Sequence, residues 1–115
     1  MQSHLSIEYV SPEAANEWLQ YARDQRPLRT YHADYLAQEM LYGRFQETAE
    51  VHLFDVDKER YLINGQHTCA AIARYGRPVR VTVRRSAGTD VERALVYSVG
   101  HDKGISRTFT DSVRV

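Results

Sequence analysis

The sequence predicts one compact α+β domain. A chain of 115 residues suits a single hydrophobic core. With 43% hydrophobic and 26% charged residues, it has enough apolar surface to offset the entropy of folding. Short alternating patterns typical of strands are interleaved with helix-period segments, and no repeat or low-complexity linker separates them. We therefore interpret residues 1–115 as one domain, in which 111–115 fit either a natural end or a truncated helix.

The first elements are a strand and two helices. Leu5, Ile7 and Tyr9 alternate with polar residues, which indicates a half-buried strand. A serine cap and a proline then predict a helix over 12–23. Its buried stripe consists of Ala15, Trp18, Leu19 and Ala22. Pro27 breaks this helix, Thr30 is expected to cap a second one over 31–42, and Gly43 ends it.

The second half of the chain begins with a hairpin. Residues 49–56 and 61–63 are predicted strands joined by a charged turn. A helix over 66–75 is rich in small residues and ends at Gly76. Val79, Val81 and Val83 then alternate with polar residues in a strand whose outward face is basic. Thr89 caps a helix to about 99, and Ser106 begins a last one.

Charge is unevenly distributed although the chain carries no net charge. Residues 1–60 carry 6 basic and 11 acidic side chains, whereas residues 61–115 carry 9 basic and 4 acidic. Zero net charge argues against a protein that binds nucleic acid mainly by bulk electrostatics. No apolar run reaches the roughly 18 residues of a membrane span, and the N-terminus lacks a signal-peptide pattern, so we expect a cytoplasmic protein with no membrane partner.

The strongest local signal is the junction at Asn64-Gly65-Gln66-His67, where a strand passes through a glycine into a helix. The first N–H groups of a helix have no intrahelical partner and lie at the positive end of its dipole, which suits an anion. Gly65 would let a phosphate approach, and Gln66, His67 and Thr68 would add hydrogen bonds. The alternative is a tight turn in which Asn64 caps the helix.

The run Leu62-Ile63-Asn64-Gly65-Gln66-His67 resembles the (D/N)GQHR element of ParB/sulfiredoxin-like domains, in particular those of small phage and plasmid proteins. Three further segments resemble the family's elements in the same order. They are an Asn-Arg-Pro-like segment at 24–29, "M..G.(F/W)" at 40–45 and "D.G..R(S/T)..D" at 102–111. The resemblance thus extends over most of the chain.

The resemblance implies a small mixed sheet with about four helices and a cleft for the phosphates of a nucleoside triphosphate, CTP or ATP, with Mg²⁺ and with neither zinc nor haem. The implied ligand-binding residues are Asn64, Gly65, Gln66, His67, Thr68, Arg26, Arg107 and Thr108. It further implies a phage or mobile-element protein acting in DNA-related processes in a prokaryotic or phage-infected cell. DNA or a host protein is the expected further partner, and a homodimer is compatible with the family.

Two departures from the family pattern keep alternatives open. Thr68 stands where the family has arginine, and the sulfiredoxin cysteine is replaced by Gln66, while Cys69 is expected to be a small buried side chain. The alternatives are a non-enzymatic protein of the same fold that binds DNA or a host defence or transfer protein, and a ParB-like nuclease.

Several candidate site residues have both a functional and a structural interpretation. His67 is the only candidate catalytic residue, as a general base, or it braces the turn. Arg80, Arg84 and Arg85 are candidate DNA contacts or a solvated face. Asp102 and Asp111 bind Mg²⁺ or cap local turns. The five histidines show no zinc-ligand spacing.

Overall fold

The computed structural model describes residues 2–22 and 28–96. The elements in order are β1 (Gln2–Val10), α1 (Pro12–Leu19), α2 (Thr30–Leu41), β2 (Glu50–Val56), β3 (Glu59–Asn64), α3 (Gln66–Tyr75) and β4 (Val79–Ala87). Residues 90–96 are also helical and are called α4. This confirms the predicted α+β class. The helix expected to begin near Ser106 lies outside the described residues.

The four strands form one mixed sheet in the order β1-β4-β2-β3. β1 is antiparallel to β4, β2 is antiparallel to β3, and β2 is parallel to β4. The predicted hairpin is therefore confirmed, and its turn contains Asp57 with a φ of +54°. Because β2 and β4 are parallel, α3 lies in the crossover that connects the hairpin to β4.

Helix α3 is the centre of the larger core. Five consecutive residues, Thr68 to Ile72, are buried, because α1 and α2 both pack against α3 while β2 lies on another side. The predicted small-residue surface permits this close packing. Burial raises the pKa of the Cys69 thiol to about 12, so the thiol stays protonated and is no nucleophile. The expected structural role of Cys69 agrees with its complete burial.

A second, smaller core covers part of the opposite face of the sheet. Phe54, Val56 and Ile63 are buried there and pack against Tyr61 and Val96. The Arg93 guanidinium lies over the Tyr61 ring at 4.2 Å, which fixes α4 on β3. Thr89 Oγ1 accepts a hydrogen bond from the Glu92 N–H, as predicted for a helix cap.

The structure corrects three local predictions. Leu5, Ile7 and Tyr9 do not face the core; their side chains are 51%, 53% and 73% exposed. The other face of β1 points toward the helix layer, where Glu8 forms an ion pair with Arg85 and Val10 is buried. Thr30 does not cap α2: the cap residue is Arg29, and no side chain accepts a hydrogen bond there. Helix α1 also ends at Leu19, earlier than expected.

A chain of polar side chains crosses three strands on the α4 side of the sheet. Ser3 Oγ lies 3.0 Å from Ser86 Oγ, and Ser86 Oγ lies 2.8 Å from His52 Nε2. His52 is buried, and burial lowers its pKa, an effect that the Glu50 carboxylate opposes and that the Arg84 charge reinforces. Neutral His52 is thus a structural group that links β2 to β4.

We expect the free energy of unfolding to fall as the pH is lowered from about 7.5 to about 5. In that range His52 takes up a proton in the unfolded chain more readily than in the folded protein, because the pKa of His52 is lower in the folded state. His52→Gln should be less stable but should show a flatter dependence of stability on pH. Urea unfolding at a series of pH values measures both.

Ser86→Ala is the matched control for His52→Gln. It removes the hydrogen-bond partner at a cost of about 1–3 kcal/mol but leaves the titrating ring in place. The pH dependence should therefore persist in Ser86→Ala. An equally steep dependence in His52→Gln and in the parent protein would contradict the assignment to His52.

Candidate functional site

The strand-to-helix turn is held by close packing on β2. Gly65 caps α3 with a φ of +103°, and a Cβ at this position would lie 2.9 Å from Val51 Cγ2 and 3.0 Å from Val51 Cα. The glycine is thus required by its backbone conformation and by the neighbouring strand. It was expected to make room for a phosphate, but the space beside it is filled by Val51. Asn64 does not cap the helix, because α3 has no side-chain cap hydrogen bond.

The first turn of α3 presents backbone donors that are unpaired within residues 2–22 and 28–96. The first intrahelical bond runs from the Cys69 N–H to the Gly65 carbonyl, 2.9 Å. The N–H groups of Gln66, His67 and Thr68 precede it and have no hydrogen-bond partner among the described residues. A helix start of this kind carries partial positive charge and binds anions.

His67 connects the start of α3 to the start of α2. Its Nε2 atom accepts a hydrogen bond from the Arg29 N–H at 3.0 Å. Its ring also meets the His32 ring edge-on, with 4.8 Å between centroids. Arg29 is the cap residue of α2 and His32 lies in its first turn. The two helix N-termini therefore lie side by side.

The two helices run in roughly the same direction. Arg74, near the end of α3, pairs with Asp34 of α2 at 2.6 Å. Tyr75 and Met40, at the C-terminal ends of α3 and α2, line one shallow cleft with a volume of about 370 Å³. Two parallel helix dipoles thus place their positive ends together at His67.

The chemistry open to His67 follows from its hydrogen bond. Burial lowers its pKa, and the nearby His32 and Arg29 lower it further, so the neutral ring is favoured. Since Nε2 accepts from Arg29, the proton of the neutral ring is on Nδ1. In this arrangement Nδ1–H can donate to an anion. The Nε2 lone pair is occupied, so general-base catalysis at that atom would require breaking the link to α2.

The other predicted ligand-binding residues fall into two groups. Thr68 is in the described region, but its side chain is only 8% exposed and little of it can meet a ligand. Arg26, Arg107 and Thr108, like Asp102 and Asp111, lie outside the described residues. Sequence reasoning did not single out Arg29 or His32 at this site. Only the predicted start of a helix near Thr30 indicated that another N-terminus exists.

The three candidate DNA-contact arginines are all ion-paired. Arg80 pairs with Glu47 at 3.2 Å and Arg84 with Glu50 at 3.1 Å. Arg85 lies on the opposite face of β4, where it pairs with Glu8 and stacks over the Trp18 ring. The basic outer face expected for this strand is thus largely neutralised by glutamates, and Arg85 does not belong to it.

Other site chemistry is limited in the described part of the chain. Residues 2–22 and 28–96 contain no cluster of three or more metal-ligating side chains and no helix long and apolar enough to cross a bilayer. No protein-family model, curated protein or solved structure matches the chain.

Gly65→Ala should lower the free energy of unfolding by about 2–4 kcal/mol, because it combines an unfavourable φ with overlap on Val51. Gly76→Ala is the matched control: its φ is +82°, but nothing lies within 4 Å of the added Cβ. That variant should lose only about 1–2 kcal/mol. Equal losses in urea unfolding would contradict the role of the Val51 contact.

We expect weak DNA binding, with a dissociation constant above about 10⁻⁴ M at physiological salt, because the β4 arginines are paired. The double variant Glu47→Gln/Glu50→Gln frees Arg80 and Arg84 and should strengthen binding and steepen its salt dependence. Fluorescence anisotropy with labelled duplex DNA measures both. Tight binding by the parent protein that is lost in Arg80→Gln/Arg84→Gln would refute this expectation.

Proposed function

We propose that the chain is a ParB/sulfiredoxin-like nucleotide-binding domain that holds the phosphates of a nucleoside triphosphate, CTP or ATP, with Mg²⁺. The observation that carries the proposal is the meeting of two helix N-termini at His67, beside N–H groups of α3 that have no partner among the described residues. The order of the family-like motifs along the sequence supports the same assignment. The proposal also includes a role in the DNA-related processes of a phage or mobile element. This part of the proposal rests on the resemblance alone.

In this proposal each group has a defined part. The N–H groups of Gln66 and His67 donate to phosphate oxygens, and His67 Nδ1–H adds a further donor. Asn64 and Gln66 are accessible enough to contribute side-chain hydrogen bonds. Arg26, Arg107 and Thr108 remain proposed ligand-binding residues because of the resemblance. Magnesium would be bound mainly by the phosphates, as is usual for this ion.

The site supports binding better than catalysis. His67 is engaged with Arg29, Thr68 is buried, and the family's arginine is missing from the turn. Dipoles and N–H groups without a strong cation bind a phosphate but provide less stabilisation for charge that develops during phosphoryl transfer. We therefore propose nucleotide binding and assign no catalytic residue.

Gln66→Glu tests the proposal without unfolding the protein. A carboxylate in the first turn interacts favourably with the helix dipole, but it repels phosphate. In the parent protein, a nucleotide at 100 times its dissociation constant should stabilise the fold by about 2.7 kcal/mol, a shift of several degrees in Tm. Gln66→Glu should lose most of this shift. Thermal unfolding with CTP, ATP, GTP and UTP, each with Mg²⁺, measures it.

Gln38→Glu is the matched control, since it makes the same change at an exposed position of α2. Its response to nucleotide should equal that of the parent protein. The matching nucleosides, which lack phosphates, should give no shift. If no nucleotide stabilises the parent protein, or if Gln66→Glu responds as strongly, the proposal is wrong.

A second candidate function is binding of a host protein without nucleotide chemistry. The observation in its favour is an exposed aromatic surface on and after α2, formed by Tyr31, Tyr35 and Tyr42. Tyrosine is enriched at protein interfaces because it offers a large, rigid contact area. A stoichiometric complex with one host protein that is lost in Tyr31→Ala/Tyr35→Ala but kept in Gln66→Glu would support this function instead.

A further inference from the structure

Within the described residues, β1 is an edge strand of the sheet. The other edge, β3, donates a backbone hydrogen bond to the segment after α1, from the Leu62 N–H to the Tyr21 carbonyl at 2.8 Å. β1 pairs with β4 and with no second strand among the described residues. The nine residues of β1 include no proline and no lysine. Natural edge strands usually carry such residues, which prevent pairing with another chain.

One face of this edge strand is apolar and exposed. Leu5, Ile7 and Tyr9 project from the same face, and each is more than half exposed. The residues that pair with them on β4 are Arg84, Thr82 and Arg80. These are polar, so the three apolar side chains have no apolar neighbour at the paired positions. An exposed apolar row next to unpaired backbone groups is a surface suited to a β-strand partner.

The sequence of β1 is complementary to itself. If two copies align antiparallel about Ser6, Leu5 of one copy lies opposite Ile7 of the other, so apolar side chains meet. In the same register His4 lies opposite Glu8, so a nitrogen donor meets a carboxylate that also pairs with Arg85 of its own copy. Directly opposed side chains of this kind stabilise a strand pair.

A neighbouring register, in which each side chain still faces the same side of the sheet, is less complementary. Centred on Ile7, it also aligns apolar residues, since Leu5 then lies opposite Tyr9. However, it places His4 opposite Val10 and leaves Glu8 opposite Ser6. Of these two registers, the one centred on Ser6 combines an apolar pair, Leu5 with Ile7, with a polar pair, His4 with Glu8, although it places Tyr9 opposite Ser3.

We propose that two copies of this chain associate through β1, in an antiparallel pair centred on Ser6, to form one sheet that continues through both copies. The twofold axis is perpendicular to the sheet, so the helices of both copies lie on the same side. One strand pair is a small interface, and the expected dissociation constant is on the order of micromolar. The interface is separate from the α3 site and does not depend on nucleotide binding.

Sedimentation equilibrium of the full chain without nucleotide tests the association. The parent protein should change from monomer to dimer as its concentration rises through the micromolar range. Leu5→Lys/Ile7→Lys places like charges opposite each other and should weaken association at least tenfold. Leu41→Lys is the matched control, because Leu41 is also more than half exposed but lies on α2; it should dimerise like the parent protein. Circular dichroism checks that all variants are folded.

Cysteine cross-linking tests the register. Cys69 is fully buried and should not react. When Leu5→Cys and Ile7→Cys proteins are mixed under mild oxidation, the disulfide-linked heterodimer should exceed either homodimer. A predominant Ile7→Cys homodimer would indicate the register centred on Ile7 and overturn the one proposed here. A parent protein that stays monomeric up to millimolar concentration, or a dimer that Leu5→Lys/Ile7→Lys leaves intact, would overturn the association itself.

Discussion

The contact between the Gly65 turn and Val51 determines where helix α3 begins and how it lies on the sheet. A side chain at residue 65 would overlap Val51, so the turn can approach β2 this closely only with glycine. From that start α3 runs between the sheet and the helices α1 and α2, and it is buried over five consecutive residues. The alanines and Cys69 let these neighbours approach. The position of α2, and hence of the candidate site, follows from this packing.

The same interactions that hold the site together limit what it can do. His67 links the N-termini of α2 and α3 through the Arg29 N–H, and this bond occupies the ring nitrogen that a general base would use. The bond also fixes the ring, so that Nδ1–H has a defined direction. A rigid donor next to the first N–H groups of a helix loses little entropy when an anion binds. The geometry therefore favours binding over proton transfer, for a reason that is visible in the fold itself.

Local sequence signals were sufficient for most of the elements but not for their long-range partners. The hairpin, the bounds of α3 and the burial of Val79, Val81 and Val83 follow from turn residues and alternation, and all are confirmed. Alternation in β1 indicated two unlike faces, but it could not tell which face meets the helices. The Glu8–Arg85 pair, which fills the inner face, joins residues 77 positions apart. The hydrogen bond between His67 and Arg29 could not be predicted from the sequence either, because it depends on how two helices pack.

Part of the uneven charge of the two halves is balanced within the fold. Arg74, Arg80, Arg84 and Arg85, all from the basic half, pair with Asp34, Glu47, Glu50 and Glu8 of the acidic half. Exposed pairs of this kind add little stability individually. Together, however, they cancel a positive field that would otherwise attract any polyanion. An anion that binds the described part of the chain must therefore be recognised by local donors, and the unpaired N–H groups at the start of α3 are placed to do so.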